Sequence, residues 1–211
     1  MMNEPYTILT KGGEAETELK KSRFIAHVRP VETEEEAMAF VGEMKKKYYD
    51  ARHNCYAYIL GKAGNRVKYS DDGEPAQTGG LPIMNVLKET GIRNACIVVT
   101  RYFGGTLLGA GPLARMYGDA AKLGLEASKT GVMRYGITAD VRCDYSDFEK
   151  LKRYYEKEEI PIVDISYAND VVISIRCGFE KFEEVKNSTV SITASRAVIT
   201  KTGEAYCLHN N

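Results

Sequence analysis

Two stretches of this chain carry side chains whose types and spacing could do chemistry. One is Tyr69-Ser70-Asp71-Asp72-Gly73-Glu74-Pro75, with His53 upstream of it. Neighbouring carboxylates can hold a hard divalent cation such as Mg²⁺, or split their pKa values for acid–base work. The same run is also turn chemistry, because Asp caps a turn, Gly takes awkward dihedrals and Pro stops a helix. His53 alone reads more simply as a packed, hydrogen-bonded histidine than as a ligand. Asp71, Asp72, Glu74 and His53 are therefore the candidate catalytic residues of one reading, an enzyme that processes a nucleotide or small molecule and whose site Arg101 completes.

The second stretch runs from Thr100 to Arg115, with Arg101-Tyr102-Phe103-Gly104-Gly105-Thr106 followed by Gly109 and Gly111. A strand entering a glycine loop that opens a helix presents free backbone N–H groups and a helix dipole to an anion. Arg101 and Arg115 could clamp a phosphate in bidentate fashion, and Tyr102 or Phe103 could stack on a base. The loop lacks the Gly-Lys-Ser/Thr of a Walker A motif and the third glycine of a dinucleotide fingerprint. Its glycines serve equally for tight packing alone. Lys21 and Arg23, in Lys20-Lys21-Ser22-Arg23, add cations at the entry of a strand.

Several elements must position these groups. Strands are predicted at Tyr6–Leu9, Phe24–Val28, His53–Leu60, Arg66–Tyr69 and Ala95–Thr100, the last a β-branched run that reads as a buried centre. Thr33 and Glu36 have capping-box spacing, and Ala37, Val41, Met44 and Tyr48 form one helical stripe. Helices are also expected from Pro82 to Glu89, ended by Gly91, and from Pro112 to about Ser128. A break at Thr130–Gly136 leads to strand Ile137–Cys143 and a helix over Asp147–Glu158 with a Ser146/Glu149 capping box. Strands Pro161–Tyr167 and Val171–Cys177, a helix over Glu180–Asn187 and a strand over Val190–Ala197 complete the βαββαβ order of a ferredoxin-like sandwich.

Composition narrows the classes. The 211 residues hold 29 Lys plus Arg against 29 Asp plus Glu, so no global field draws the chain to nucleic acid or membrane. Residues 1–134 carry 19 basic and 16 acidic side chains, a mild positive bias that leaves room for a local basic groove. The N-terminal residues lack the basic and apolar regions of a signal peptide, and no apolar run is long enough to span a bilayer. Cys55, Cys96, Cys143, Cys177 and Cys207 are widely spaced, which argues for buried thiols in a reducing, cytoplasmic setting rather than a metal or redox site. His27 falls in a strand and His209 in a frayed tail. Neither a metal nor a cofactor is expected.

Four segments in this order resemble the IMPACT (YigZ-like) family. They are Lys21-Ser22-Arg23-Phe24-Ile25-Ala26, His53-Asn54-Cys55-Tyr56-Ala57-Tyr58, Tyr69–Pro75 and Thr100–Gly111, and the likeness covers residues 18–128. The resemblance implies a first domain like elongation factor G domain IV and a domain of a small-subunit ribosomal protein. It implies a second domain like the ferredoxin-like modules that end elongation factor G. Eukaryotic relatives regulate translation under stress through a partner protein, using an added N-terminal domain that has no counterpart before Lys20. Pro112 and Met116 stand where the family has glycine and alanine, and Gln77 stands where a glycine is common.

The expectation is an α+β protein of two domains, an IMPACT-type domain over 1–134 and a ferredoxin-like domain over 135–211. Its expected role is non-catalytic, RNA- or ribosome-associated and concerned with regulation of translation. The rivals are the carboxylate enzyme and a protein-interaction module, which would show an exposed apolar patch.

Overall fold

The structure, a computed structural model, describes residues 4–210. Among them are two sheets and five α-helices. The chain divides into two compact units, built on Tyr6–Val132 and on Met133–His209.

The first unit is a five-stranded sheet covered on both faces. Its strands are β2 (Glu14–Leu19), β3 (Ser22–Pro30), β4 (His53–Leu60), β5 (Arg66–Ser70) and β7 (Ala95–Tyr102), in the order β2-β3-β7-β4-β5. Each neighbouring pair is antiparallel. A separate short pairing joins β1 (Tyr6–Lys11) in parallel to β6 (Ile92–Arg93).

Alternation along each strand sends odd and even residues to opposite faces. In β4 and β7, Cys55, Ala57, Ile59, Ala95, Ile97 and Val99 pack against helices α2 (Gly80–Glu89) and α3 (Ala110–Glu126). Tyr56, Tyr58, Leu60, Cys96 and Val98 pack on the other face against α1 (Glu34–Lys47). Two covered faces explain why both strands are apolar almost throughout. Each large aliphatic side chain withdrawn from water in this way contributes about 1.5–3 kcal/mol. Thr33 caps α1 by accepting the Glu36 N–H at 3.1 Å.

Helix α3 lies close on the sheet because its buried residues fall in one stripe: Leu113, Met116, Tyr117, Ala120, Ala121, Gly124 and Leu125. At Gly124 a Cβ would come within 2.9 Å of Val28 Cγ2, so glycine sets the approach. Phe24 of β3 meets Tyr117 of α3 edge to face at 5.2 Å between ring centroids.

In the second unit, β8 (Lys129–Cys143), α4 (Tyr145–Lys157), β9 (Ile162–Tyr167), β10 (Val171–Gly178), α5 (Phe179–Ile192) and β11 (Val198–Asn210) follow one another. The strand order is β11-β8-β10-β9, and β10 is antiparallel to both β8 and β9. One core gathers Ile137, Val141, Leu151, Tyr155, Ile173 and Ile175. Inside it the Tyr155 hydroxyl lies 2.8 Å from Thr189 Oγ1.

Four features differ from expectation. Strand β2 was not anticipated. Thr130–Gly136 holds the boundary between the units, between Val132 and Met133, yet it is no break in secondary structure: it runs within β8, where Gly136 pairs with Gly178 and a Cβ would lie 2.3 Å from the Cys177 carbonyl oxygen. Val190–Ile192 continues α5, and the closing strand begins only at Val198, so residue 209 belongs to a strand instead of a frayed tail. The side chain of His209 lies outside the described residues. Helix α4 starts one residue before Ser146, with Asp144 at its N-cap and no side-chain cap bond.

Candidate functional site

The four segments marked by their chemistry meet at one end of the five-stranded sheet. The register of β7 explains how. Arg101 stands opposite Phe24 on β3 and opposite His53 on β4, so all three arrive side by side. Being odd-numbered, Arg101 points to the α2–α3 face, while Thr100 points the other way and donates from its hydroxyl to Asn54 Oδ1 at 2.7 Å.

Arg101 Nη1 donates to Glu74 Oε1 at 2.7 Å, and the two side chains are only 8% and 4% exposed. The Tyr117 hydroxyl donates to the same carboxylate oxygen at 2.8 Å. Arg101 Nη2 lies 3.5 Å from Ser22 Oγ, which in turn accepts the Gly104 N–H at 3.1 Å. Arg101 Nε is buried with no acceptor. Leaving such a donor unpaired costs about 1–3 kcal/mol. Burial is the main cause that pushes both the Tyr117 hydroxyl and the nearby Cys55 thiol well above their ordinary values. Burial of this kind disfavours the thiolate form of Cys55.

Above this pair lies a cavity of about 400 Å³. Arg52, His53 and Pro75 border it on one side, and Phe103, Leu107, Leu108 and the start of α3 on the other. Phe103 is 53% and Leu107 86% exposed, two large apolar groups on the same loop.

The acidic run does not converge. Asp71 Oδ1 accepts the N–H groups of Gly79 and Gly80, and its Oδ2 accepts that of Gln77, at 2.8–2.9 Å. Asp71 thus fastens the turn to the start of α2. Asp72 accepts the Asn54 N–H and is paired with Lys45. His53 Nδ1 lies 2.9 Å from the Asp72 carbonyl oxygen. Among the described residues, no three His, Cys, Asp or Glu side chains gather as a metal site. Gln77 takes φ 64°, the left-handed backbone that glycine adopts freely.

The cations are distributed unevenly. Arg101 is committed to Glu74, and Arg23 is held bidentately by Glu16 at 2.7 and 3.0 Å, which lowers the Glu16 carboxyl. Arg115 is exposed on α3 and does not line the cavity. Tyr102 points away from the cavity and donates to Asp50 Oδ1, which pushes its hydroxyl up to about 12.

Lys20 and Lys21 form the two-residue turn between β2 and β3, with Leu19 paired to Ser22. Both have left-handed backbones, φ 47° and 64°. The glycine loop packs directly on them, since a Cβ on Gly104 would sit 2.1 Å from the Lys21 carbonyl carbon. Gly105 and Gly109 have φ 83° and 80°, whereas Gly111 is an ordinary residue of α3. Thr106 is exposed at the loop tip. The enzyme reading groups Glu74 and Arg101 with His53, but the part of Tyr117 and the burial of the group are not in it. The one available signal of that burial was the odd–even parity of β7, which puts Arg101 on the core face with Ile97 and Val99.

Residues 20–125 match the Impact N-terminal domain, and residues 141–196 match a domain of unknown function, DUF1949. The chain is 36% identical to "IMPACT family member YvyE" of Bacillus subtilis (strain 168), over 89% of this chain and 83% of that protein. It is 32% identical to "IMPACT family member YigZ" of Escherichia coli (strain K12), over 79% and 83%. A solved structure described as a hypothetical protein superposes with a TM-score of 0.61 at 28% identity, covering 93% of this chain and 96% of that one. A shared domain and relatives of this similarity over most of their length leave one conclusion: this chain belongs to the IMPACT family.

Proposed function

We propose that this protein is a non-catalytic, RNA- or ribosome-associated factor that regulates translation from the cytoplasm, and that it binds through the rim formed by the Lys20–Lys21 turn and the glycine loop. The observation that carries the reading is the backbone of that turn. A two-residue hairpin with both residues left-handed is normally built from Asn-Gly, and each side chain placed there costs about 1–2 kcal/mol. Keeping two lysines in strained geometry makes sense where their charges do work, as strain commonly marks a binding site. Neither Lys20 nor Lys21 has an ion-pair partner among the described residues, and the same holds for Arg52 and Arg115. Exposed Phe103 beside them supplies a stacking face.

The acid–base alternative loses support because the oxygens of Asp71 and Asp72 are engaged by backbone N–H groups and Lys45. The exposed Phe103 and Leu107 favour a protein-interaction module as the second reading. Domains over 1–134 and 135–211, with folds like elongation factor G domain IV and its ferredoxin-like modules, belong to the same proposal. The βαββαβ order and the strand order β11-β8-β10-β9 support the latter. Five buried, unpaired thiols suit a reducing compartment.

Binding of single-stranded RNA across a salt series tests the reading. Affinity should fall linearly with log salt, and Lys21→Ala or Arg52→Ala should each make the slope shallower by roughly one phosphate contact. Absence of binding at low salt would overturn it. A protein partner that binds through Leu107 with no salt dependence would establish the second reading instead.

A further inference from the structure

The cavity beneath the glycine loop differs chemically from its rim. Its walls are largely apolar, with Phe103, Leu108, Leu113 and Pro75 on the lining beside Arg52 and His53. Its floor holds the Arg101–Glu74 pair, both side chains more than nine-tenths buried. The two charges cancel, so an anion reaching the floor meets the carboxylate as soon as the guanidinium, and a cation meets the reverse. Either would also lose its hydration. The part of a ligand that reaches this floor is therefore neutral, while the unpaired Arg52 on the lining can take a negative charge.

The floor nevertheless has hydrogen-bonding capacity left over. Both donors to Glu74 use Oε1, which leaves Oε2 as an acceptor. On the guanidinium side, Arg101 Nη2 lies at a long 3.5 Å from Ser22 Oγ and is the donor left for a ligand, since the unpaired Nε is itself shut off from the cavity. A fitting group carries a donor and an acceptor on one edge. It is also flat, because the half-exposed ring of Phe103 is the surface offered for contact at the mouth.

We propose that this cavity receives a single unstacked nucleobase of a single-stranded RNA, its polar edge on Glu74 and Arg101 and its face on Phe103. A nucleobase is neutral and planar, carries donors and acceptors along one edge, and suits a cavity of a few hundred Å³. Extruded bases are held by this combination of edge hydrogen bonds and stacking. The attached phosphates then lie at the rim, where Arg52 borders the cavity and the Lys20–Lys21 turn adjoins the glycine loop. The inference rests on the RNA reading above and adds what the protein does with a base.

The test uses the full chain and two RNA 12-mers of equal charge, one of mixed sequence and one abasic throughout. Wild-type protein is expected to bind the base-bearing oligomer about tenfold or more tighter, with the same salt slope for both. Phe103→Ala, at a half-exposed site, should lose that difference and keep its affinity for the abasic oligomer. Equal wild-type affinities would overturn the base pocket and leave phosphate binding standing. No binding of either oligomer would overturn both readings. The wild-type comparison needs no variant, so misfolding of Phe103→Ala cannot obscure the result.

Discussion

Arg101 and Glu74 are joined 2.7 Å apart where neither side chain has more than a tenth of its surface in water, and Tyr117 donates to the same carboxylate oxygen. A pair in such surroundings adds little net stability while intact, but a lone survivor is an uncompensated buried charge. Arg101→Leu should therefore destabilise the first unit by about 3–5 kcal/mol in urea unfolding. The double variant Arg101→Leu/Glu74→Leu should recover most of that loss. Equal stability of Arg101→Leu and wild type would show that the pair is solvated.

The Lys20–Lys21 turn sets stability against binding. Replacing the pair with Asn-Gly relieves two left-handed side-chain residues, and the hairpin should gain roughly 1 kcal/mol or more. RNA affinity should fall in the same variant. A rise in melting temperature with unchanged RNA affinity would remove the lysines from the binding surface.

Glycines of the loop are not equivalent. Gly104→Ala drives a methyl group into the backbone of Lys21 and should distort both loop and turn, with loss of RNA binding. Gly111→Ala meets nothing within 4 Å inside α3 and should leave binding intact while stabilising the helix by about 0.5–1 kcal/mol. Two-dimensional NMR of the variants, with melting curves, separates these outcomes.

His27 gives the first unit a pH response. Burial is the main cause that lowers its pKa. Glu14 at 3.2 Å opposes the shift, while Lys47 and Arg29 reinforce it. Its Nε2 lies 2.8 Å from the Tyr48 hydroxyl. The unfolded chain then binds the proton more readily than the folded one. This contribution to stability is full above about pH 6.5, the value of a free histidine. It is lost as pH falls from there through the depressed folded value. His27→Gln should flatten the melting temperature between neutral and mildly acidic pH, and an unchanged slope would assign the response elsewhere.

Much of this architecture is legible in the residues, for identifiable reasons. Thr33, Glu36 and the stripe through Met44 mark α1, because a cap and a 3.6-residue period need only local sequence. Strands β4 and β7 announce themselves by continuous apolar runs. Strand β2 does not, since Glu14, Glu16 and Glu18 face solvent and only Ala15 and Leu19 are apolar. Gly136 reads as a break although its role is a close approach to Cys177 across two strands. Val190 and Ile192 favour strands locally, yet Val185 and Thr189 turn inward on a helix that carries them along. At the site, the four segments were visible as separate motifs. The enzyme reading supposes that His53, Glu74 and Arg101 meet, but the buried Arg101–Glu74 bond itself depends on a strand register that no local signal specifies.

The groups at the cavity floor are drawn from positions 22, 74, 101, 104 and 117, with bonds that span 27 to 82 residues of sequence. No denatured chain holds such a constellation, so whatever occupies the cavity binds the folded state alone. Occupancy and unfolding are then linked: a ligand at a hundred times its dissociation constant adds about 2.7 kcal/mol to the free energy of unfolding. The melting temperature of the unaltered protein is consequently a reporter for its own ligand, and a thermal screen of nucleotides and oligonucleotides needs no assumed activity.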